Sequence, residues 1–245
     1  MPMVKREEFS LFGWSMAVPL CDDLWLGMQL RNIAVVDLSI IRPMEAEILE
    51  LWYQTERTPP EIMMLTGISQ MWLFSLYEFL RTWRQKAKHI IKVADEYETV
   101  QPRKREKFLK GILDVAESKH KFVQRVPRFY VGQLQKIPNA DFVKSVRDYL
   151  ANTEELFTHI SHARMMLAKH EIMGAQGFMA EAPGYGRLNT FSGSIYWQYT
   201  LKDESLDVLD RRSVANTFLG IDESEMDSSE PHEEEPCEEN SGQEK

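Results

Sequence analysis

Two stretches of the chain place an arginine a few residues ahead of a histidine: RTWRQKAKHI over 81–90, with Arg84 and His89, and ARMMLAKHE over 163–171, with Arg164 and His170. Side chains of these two kinds can cleave RNA without a metal. A histidine, titrating near neutrality, moves a proton on and off a 2′-hydroxyl. An arginine supplies a fixed planar charge that steadies a phosphorane-like transition state. Both stretches are helical in pattern. At about 100° per residue, Arg84 and His89 stand about 140° apart, and Arg164 and His170 about 120° apart. Neither couple shares a face unless its helix bends or a second chain completes the site. Arg164–His170 lies near a helix end, ahead of Met173-Gly174, where the backbone has freedom to deviate. It is the leading candidate, with Arg84–His89 the runner-up. The plain alternative is that all four are surface residues of charged helices.

Charge adds to this reading. Residues 81–128 hold fourteen Lys and Arg against six Asp and Glu, with Trp83, Tyr97, Phe108 and Phe122 interleaved. Such a basic stripe, here Arg81, Lys86, Lys88, Arg103, Lys104 and Arg105, is the electrostatic footprint of phosphate-backbone contact. It is equally what solvated helix faces carry when Lys and Arg stems cover apolar surface.

Other constellations are weaker. Glu155, His159 and His162 have i, i+4, i+7 spacing on one helical face, but no further ligands are in sight to complete a metal site, and an exposed histidine pair is the favoured account. The glycine-rich APGYGR (182–187) lacks the Lys-Ser/Thr of a P-loop and precedes a strand. It reads as a tight loop, with Arg187 and Arg211-Arg212 as weak candidates for an anion site. The segment RTPPEIMMLTGISQMWLFSLYEFLRTWR has a helix-turn-helix outline, yet Gln70, Met71, Trp72, Leu73 and Phe74 make a core surface rather than one that reads bases. A buried helical hairpin fits it better. No motif calls for a cofactor or a metal.

The elements that must position these residues are mostly helical. Residues 1–43 alternate apolar stretches with polar breaks, as docked strands or short helices would. From Pro43, Met44, Ile48, Leu51 and Trp52 keep helical spacing. Thr58-Pro-Pro-Glu61 marks a helix start, Gly67 a stop, and Ser69 the cap of a helix through Trp83 toward Glu98. Helices follow over Arg103–Phe122 and Ala140–His170, the latter capped by Asn139. The period then changes to two: SIYWQYTL (194–201) sets Ile195, Trp197, Tyr199 and Leu201 on one face, between the turns NTFSG and KDES, and LDVL (206–209) follows. SVANTFLG closes the body as a short helix. The expected fold is mainly α: an N-terminal segment (1–43) packed on a helical domain (44–172), a β-hairpin or meander unit with a closing helix (173–221), and a disordered acidic tail (222–245).

Net charge divides along the same line. Of the −9 carried by the whole chain, residues 222–245 hold eleven acidic side chains and one lysine, which leaves the other 221 residues near neutral. A tail so poor in apolar residues cannot bury enough surface to fold. The two cysteines, Cys21 and Cys237, build no disulfide framework. The apolar runs are short for a membrane span, and Glu7 and Glu8 interrupt any signal peptide. A cytoplasmic protein is expected.

At the Arg/His spacing the chain resembles the HEPN superfamily (higher-eukaryote and prokaryote nucleotide-binding domains), many of whose members are RNases of toxin–antitoxin and phage-defence systems. The resemblance covers at most residues 44–172 and departs from the family at Gln85 and Met165, which follow the two arginines. It implies a helical bundle, commonly dimeric, with His170 as general acid/base, Arg164 on the scissile phosphate, RNA as substrate, and an antitoxin as partner. The rival class is a non-catalytic helical scaffold or adaptor that binds a protein partner, with the acidic tail as an autoinhibitory arm over the basic helices.

Overall fold

The computed structural model describes residues 3–120, 128–168, 179–180, 186–200 and 206–223. Its centre is α4 (Ile62–Thr99), a helix of 38 residues and about 57 Å. Leu65, Ser69, Trp72, Leu73, Leu76, Phe79, Leu80, Trp83, Ala87, Ile90 and Val93 are buried along it. That spacing keeps one broad stripe facing inward over about eight turns, which is why the helix runs unbroken. The turn expected at Gly67–Ser69 is absent. Gly67 is exposed helix interior, and Ser69 is a wholly buried small residue rather than a cap.

On one side of α4 lie α1 (Leu11–Ala17) and α2 (Leu24–Val36), the latter capped by Asp23, which accepts from the amides of Trp25 and Leu26. These two helices occupy the segment expected to hold docked strands or short helices. A π-helical turn over Asp37–Ile41 joins α2 to α3 (Arg42–Thr55), so helical backbone continues through Pro43. The Arg42 amide reaches back to the Asp37 carbonyl, and the extra residue in that turn brings both Asp37 and Ile41 inside.

On the other side α7 (Ala140–Asn152) and α8 (Glu154–Ala168) pack against α4. Asn139 caps α7 as its sequence suggested, accepting from the Asp141 and Phe142 amides. The single helix expected over 140–170 is broken at Thr153, whose φ and ψ of −100° and 6° leave the helical region. Between them in sequence, α5 (Pro102–His120) and the unanticipated α6 (Arg128–Gln135) pair near the far end of α4.

A small antiparallel sheet completes the fold. Strand β4 (Ile195–Thr200) pairs with β5 (Leu206–Asp210) on one edge and, on the other, with β2 (Met179–Ala180) and β3 (Arg187–Leu188). Ile195, Trp197 and Tyr199 are buried, the face their alternation indicated. Helix α9 (Arg211–Leu219) follows β5 directly and ends at Gly220, whose φ of 69° suits a residue without Cβ. A two-residue parallel pair between β1 (Val4–Lys5) and β6 (Ile221–Asp222) brings the chain's beginning beside α9. The architecture is a helical bundle with a small antiparallel sheet. The disordered tail expected over 222–245 begins later: Asp222 ends β6 and Glu223 accepts from Arg42, Arg212 and Asn216, while residues 224–245 lie outside the described residues.

Candidate functional site

Arg84 and His89 diverge. Arg84 is 4% exposed. It donates to Glu154 and to the Leu150 carbonyl, and its guanidinium lies 4.6 Å from the ring centre of Phe157. It serves as a bolt between α4 and the α7–α8 junction. His89 is exposed and meets Tyr130 of α6 through Nδ1, 2.7 Å from the hydroxyl. Arg164 sits over the Tyr77 ring at 5.0 Å and 4.0 Å from Glu78, with its side chain 40% exposed. Its intended partner, His170, lies outside the described residues.

Much of the basic stripe is engaged within the fold. Arg81 pairs with Glu78, Lys86 with Asp23, and Arg105 donates to the Glu98 and Val100 carbonyls that end α4. Lys88, Arg103 and Lys104 are exposed. The candidate anion site on the sheet is occupied by the protein itself. Arg187 bonds Gln198 at 2.5 Å. Arg211 is wholly buried and donates to Asp37 and Glu45, and Arg212 donates to Glu45 and Glu223. With Arg42, which donates to Asp37, Glu223 and Asn216, these form a charge-balanced knot of three arginines and three carboxylates. It leaves no net charge for a ligand. Glu155 and His159 line a small cleft against β5 and α9. Among the described residues no three His, Cys, Asp or Glu side chains gather as a metal site would require.

A different feature was not singled out from sequence. Between α2 and α4 runs an apolar groove of about 500 Å³. Trp25, Met28 and Val36 form one wall, Ile68 and Met71 the other, and Ile33 and Trp72 the floor. Its polar lining, Gln29, Asn32 and Ser75, carries no charge. Trp25 is 64% exposed and Met71 70%, values unusual for such large apolar side chains at one place. The floor is rigid, because the Trp72 indole donates to the Ile33 carbonyl at 2.9 Å. The α4 wall extends towards its N-terminus through exposed Met64, one turn before Ile68.

Helix α2 has this character for a reason that also limits it. By length and composition the stretch Leu24–Thr55 could cross a membrane, with 39% of its most apolar window buried. Yet Asp37, Arg42 and Glu45 within it are buried, Asp37 and Glu45 ion-paired to Arg211 of α9 and Arg42 donating to Asn216 of the same helix. Those pairs bind the stretch to this fold, and its remaining apolar surface faces outward as the groove wall. The signal in the sequence was the count of apolar residues over 24–36, too many for one buried stripe. No family model, characterised protein or solved structure matches this chain.

Proposed function

We propose that this protein is a non-catalytic helical adaptor, whose α2–α4 groove receives an amphipathic helix of a partner protein. The observation that carries the reading is the pair of exposed apolar walls, Trp25 and Met28 facing Ile68 and Met71, over a floor held by hydrogen bonding. A third helix laid between two others completes a three-helix packing, with anchors at i, i+3 or i+4, and i+7. Methionine walls adapt to such anchors because the side chain is unbranched and polarisable. The uncharged lining sets the partner's chemistry: an apolar inner face without Lys, Arg, Asp or Glu, since an unpaired charge there would lose its hydration. An anionic membrane is a poorer match, because the groove offers it no basic rim.

The test places a photo-crosslinking residue at Met28 or Met71 in the full chain, within the cells that make it. The expected product joins the chain to a second protein, through a peptide with apolar residues at helical spacing, and disappears with Trp25→Ser plus Met71→Ser. Cross-links only to another copy of this chain would replace the adaptor with a homodimer, and absence of any product would overturn the reading.

A second reading keeps the HEPN-like ribonuclease on Arg164 and His170. The exposure of Arg164, with Lys88, Arg103 and Lys104 also open to solvent, is what supports it.

A further inference from the structure

A second cavity, on the other half of the molecule, has a composition unlike the groove. It lies between α4, α5 and α6 and measures about 460 Å³, within the range of small-molecule sites, about 300–1,000 Å³. Phe108, Ile112 and Val115 of α5 and Leu134 of α6 make an apolar wall, and His89 and Tyr130 supply its polar groups. An apolar cavity with a few convergent polar atoms is the usual form of a ligand site.

Two features give the ligand its chemistry. The Tyr130 hydroxyl and His89 Nδ1 are 2.7 Å apart. With the phenol as donor, Nδ1 accepts and the imidazole carries its proton on Nε2, where it is a donor for an acceptor on a ligand. The surroundings favour an anion: α5 carries six Lys and Arg against three Glu and Asp, with Lys104, Lys107 and Lys110 exposed, and Lys88 precedes His89.

Gly111 is an independent indication. It lines the cavity from the interior of α5. Glycine is disfavoured in a helix interior relative to alanine. No close packing accounts for it, since a Cβ built there meets nothing within 4 Å. Its missing side chain leaves cavity space that any other residue would narrow.

We propose that this cavity binds a small apolar carboxylate, an aryl or medium-chain alkyl acid, whose head group accepts the Nε2–H of His89 while its body lies against Phe108, Ile112, Val115 and Leu134. The site is independent of the α2–α4 groove and of any partner there.

Decanoate below its micellar concentration is the probe, with decanol as its uncharged counterpart, titrated into the full-length protein by calorimetry and methyl NMR. Saturable binding of decanoate is expected, with shifts at the Ile112 and Leu134 methyls. Decanol, whose hydroxyl can still accept from Nε2 but carries no charge, should bind about tenfold more weakly, the scale by which a hydrogen bond to a charged group exceeds a neutral one. His89→Phe should remove that preference, and Gly111→Trp should abolish binding of both. The NMR arm uses the unaltered protein, so it holds whether or not a variant folds. Equal binding of acid and alcohol, shifts confined to Ile68 and Met71, or no saturable binding would each overturn the proposal.

Discussion

Arg211, wholly buried at the start of α9, donates through Nε to wholly buried Glu45 of α3 at 2.7 Å, across 166 residues of sequence. Glu45 also receives Arg212, while Asp37 receives Arg211 and Arg42. The knot thus fixes the C-terminal helix to the π-helical turn and to α3. Removing one partner from a buried ionic cluster strands the remaining charges without solvent. Glu45→Gln should therefore destabilise the fold by about 3–5 kcal/mol, the usual cost of breaking a buried pair. Guanidinium unfolding of the two proteins measures it, and a loss under about 1 kcal/mol would mean that water reaches the knot.

Beside the same glutamate, Gly193 turns the chain into β4 with a φ of 71°. A Cβ at that position would stand 2.1 Å from the Glu45 carbonyl oxygen. Gly193→Ala combines a left-handed backbone with a backbone clash and should cost more than about 2 kcal/mol. Gly67 is the contrast, because in α4 nothing lies within 4 Å of an added Cβ. Gly67→Ala should raise stability by about 0.5–1 kcal/mol through helix propensity alone. Thermal denaturation of both variants, compared with the parent, tests the opposite signs together.

These residues also explain what was legible in the sequence. Local rules carried far: the Asn139 cap and the alternation that buries Ile195, Trp197 and Tyr199 follow from a few neighbouring side chains. Thr58-Pro-Pro-Glu61 marks the approach to α4 but not its cap, because the helix begins at Ile62 and no side chain caps it. Gly67 and Ser69 misled for the same reason. Their local preference is to end and begin helices, and the packing of Leu65, Trp72 and Leu73 overrides it. The ionic knot was illegible because Asp37 and Glu45 are ordinary acidic residues until Arg211 arrives from more than 160 positions away. The groove was illegible because an apolar residue in sequence reads as core, and only the fold reveals that Trp25 and Met71 are left outside.

Acid should loosen the knot from its exposed edge. Burial pushes the Glu223 carboxyl up, but its hydrogen bond from Asn216 and the Arg212 and Arg42 charges outweigh that and hold it below the usual range. A carboxylate depressed in the folded state stabilises above its unfolded pKa, about 4.3, and that stability drains away as pH falls through the lower folded value. Glu223→Gln should lower Tm at pH 7 and flatten the fall of Tm below about pH 4.3 relative to the parent. Parallel acid limbs for the two proteins would exclude Glu223 from the linkage.

Cys21 should be chemically silent in the folded protein. It is 6% exposed, and burial first, then the neighbouring Asp22 and Asp23 charges, push its thiol up to about 12. At pH 8 only about one molecule in ten thousand would hold a thiolate, the form that reacts. In a Cys237→Ser background a disulfide reagent at pH 8 should leave Cys21 unmodified for hours, then titrate it fully in guanidinium. Labelling at the rate of an exposed thiol, without denaturant, would place Cys21 outside the core.

The adaptor reading makes a negative prediction about RNA that separates the two arginine–histidine couples. Arg84 is consumed by Glu154 and lies on a different side of α4 from His89, so no phosphate can touch both within one subunit. Labelled RNA incubated with the purified protein and a chelator should stay intact, and His89→Ala should change nothing. If RNA is cut and His170→Ala alone abolishes the cutting, Arg164 and His170 form the catalytic couple and the ribonuclease reading replaces the adaptor. Arg84→Gln would then still be expected to act through stability: its loss removes the guanidinium over Phe157 and the bond to the Leu150 carbonyl and so unbolts α4 from the α7–α8 junction, which appears as a lower Tm rather than as a changed cleavage rate per folded molecule.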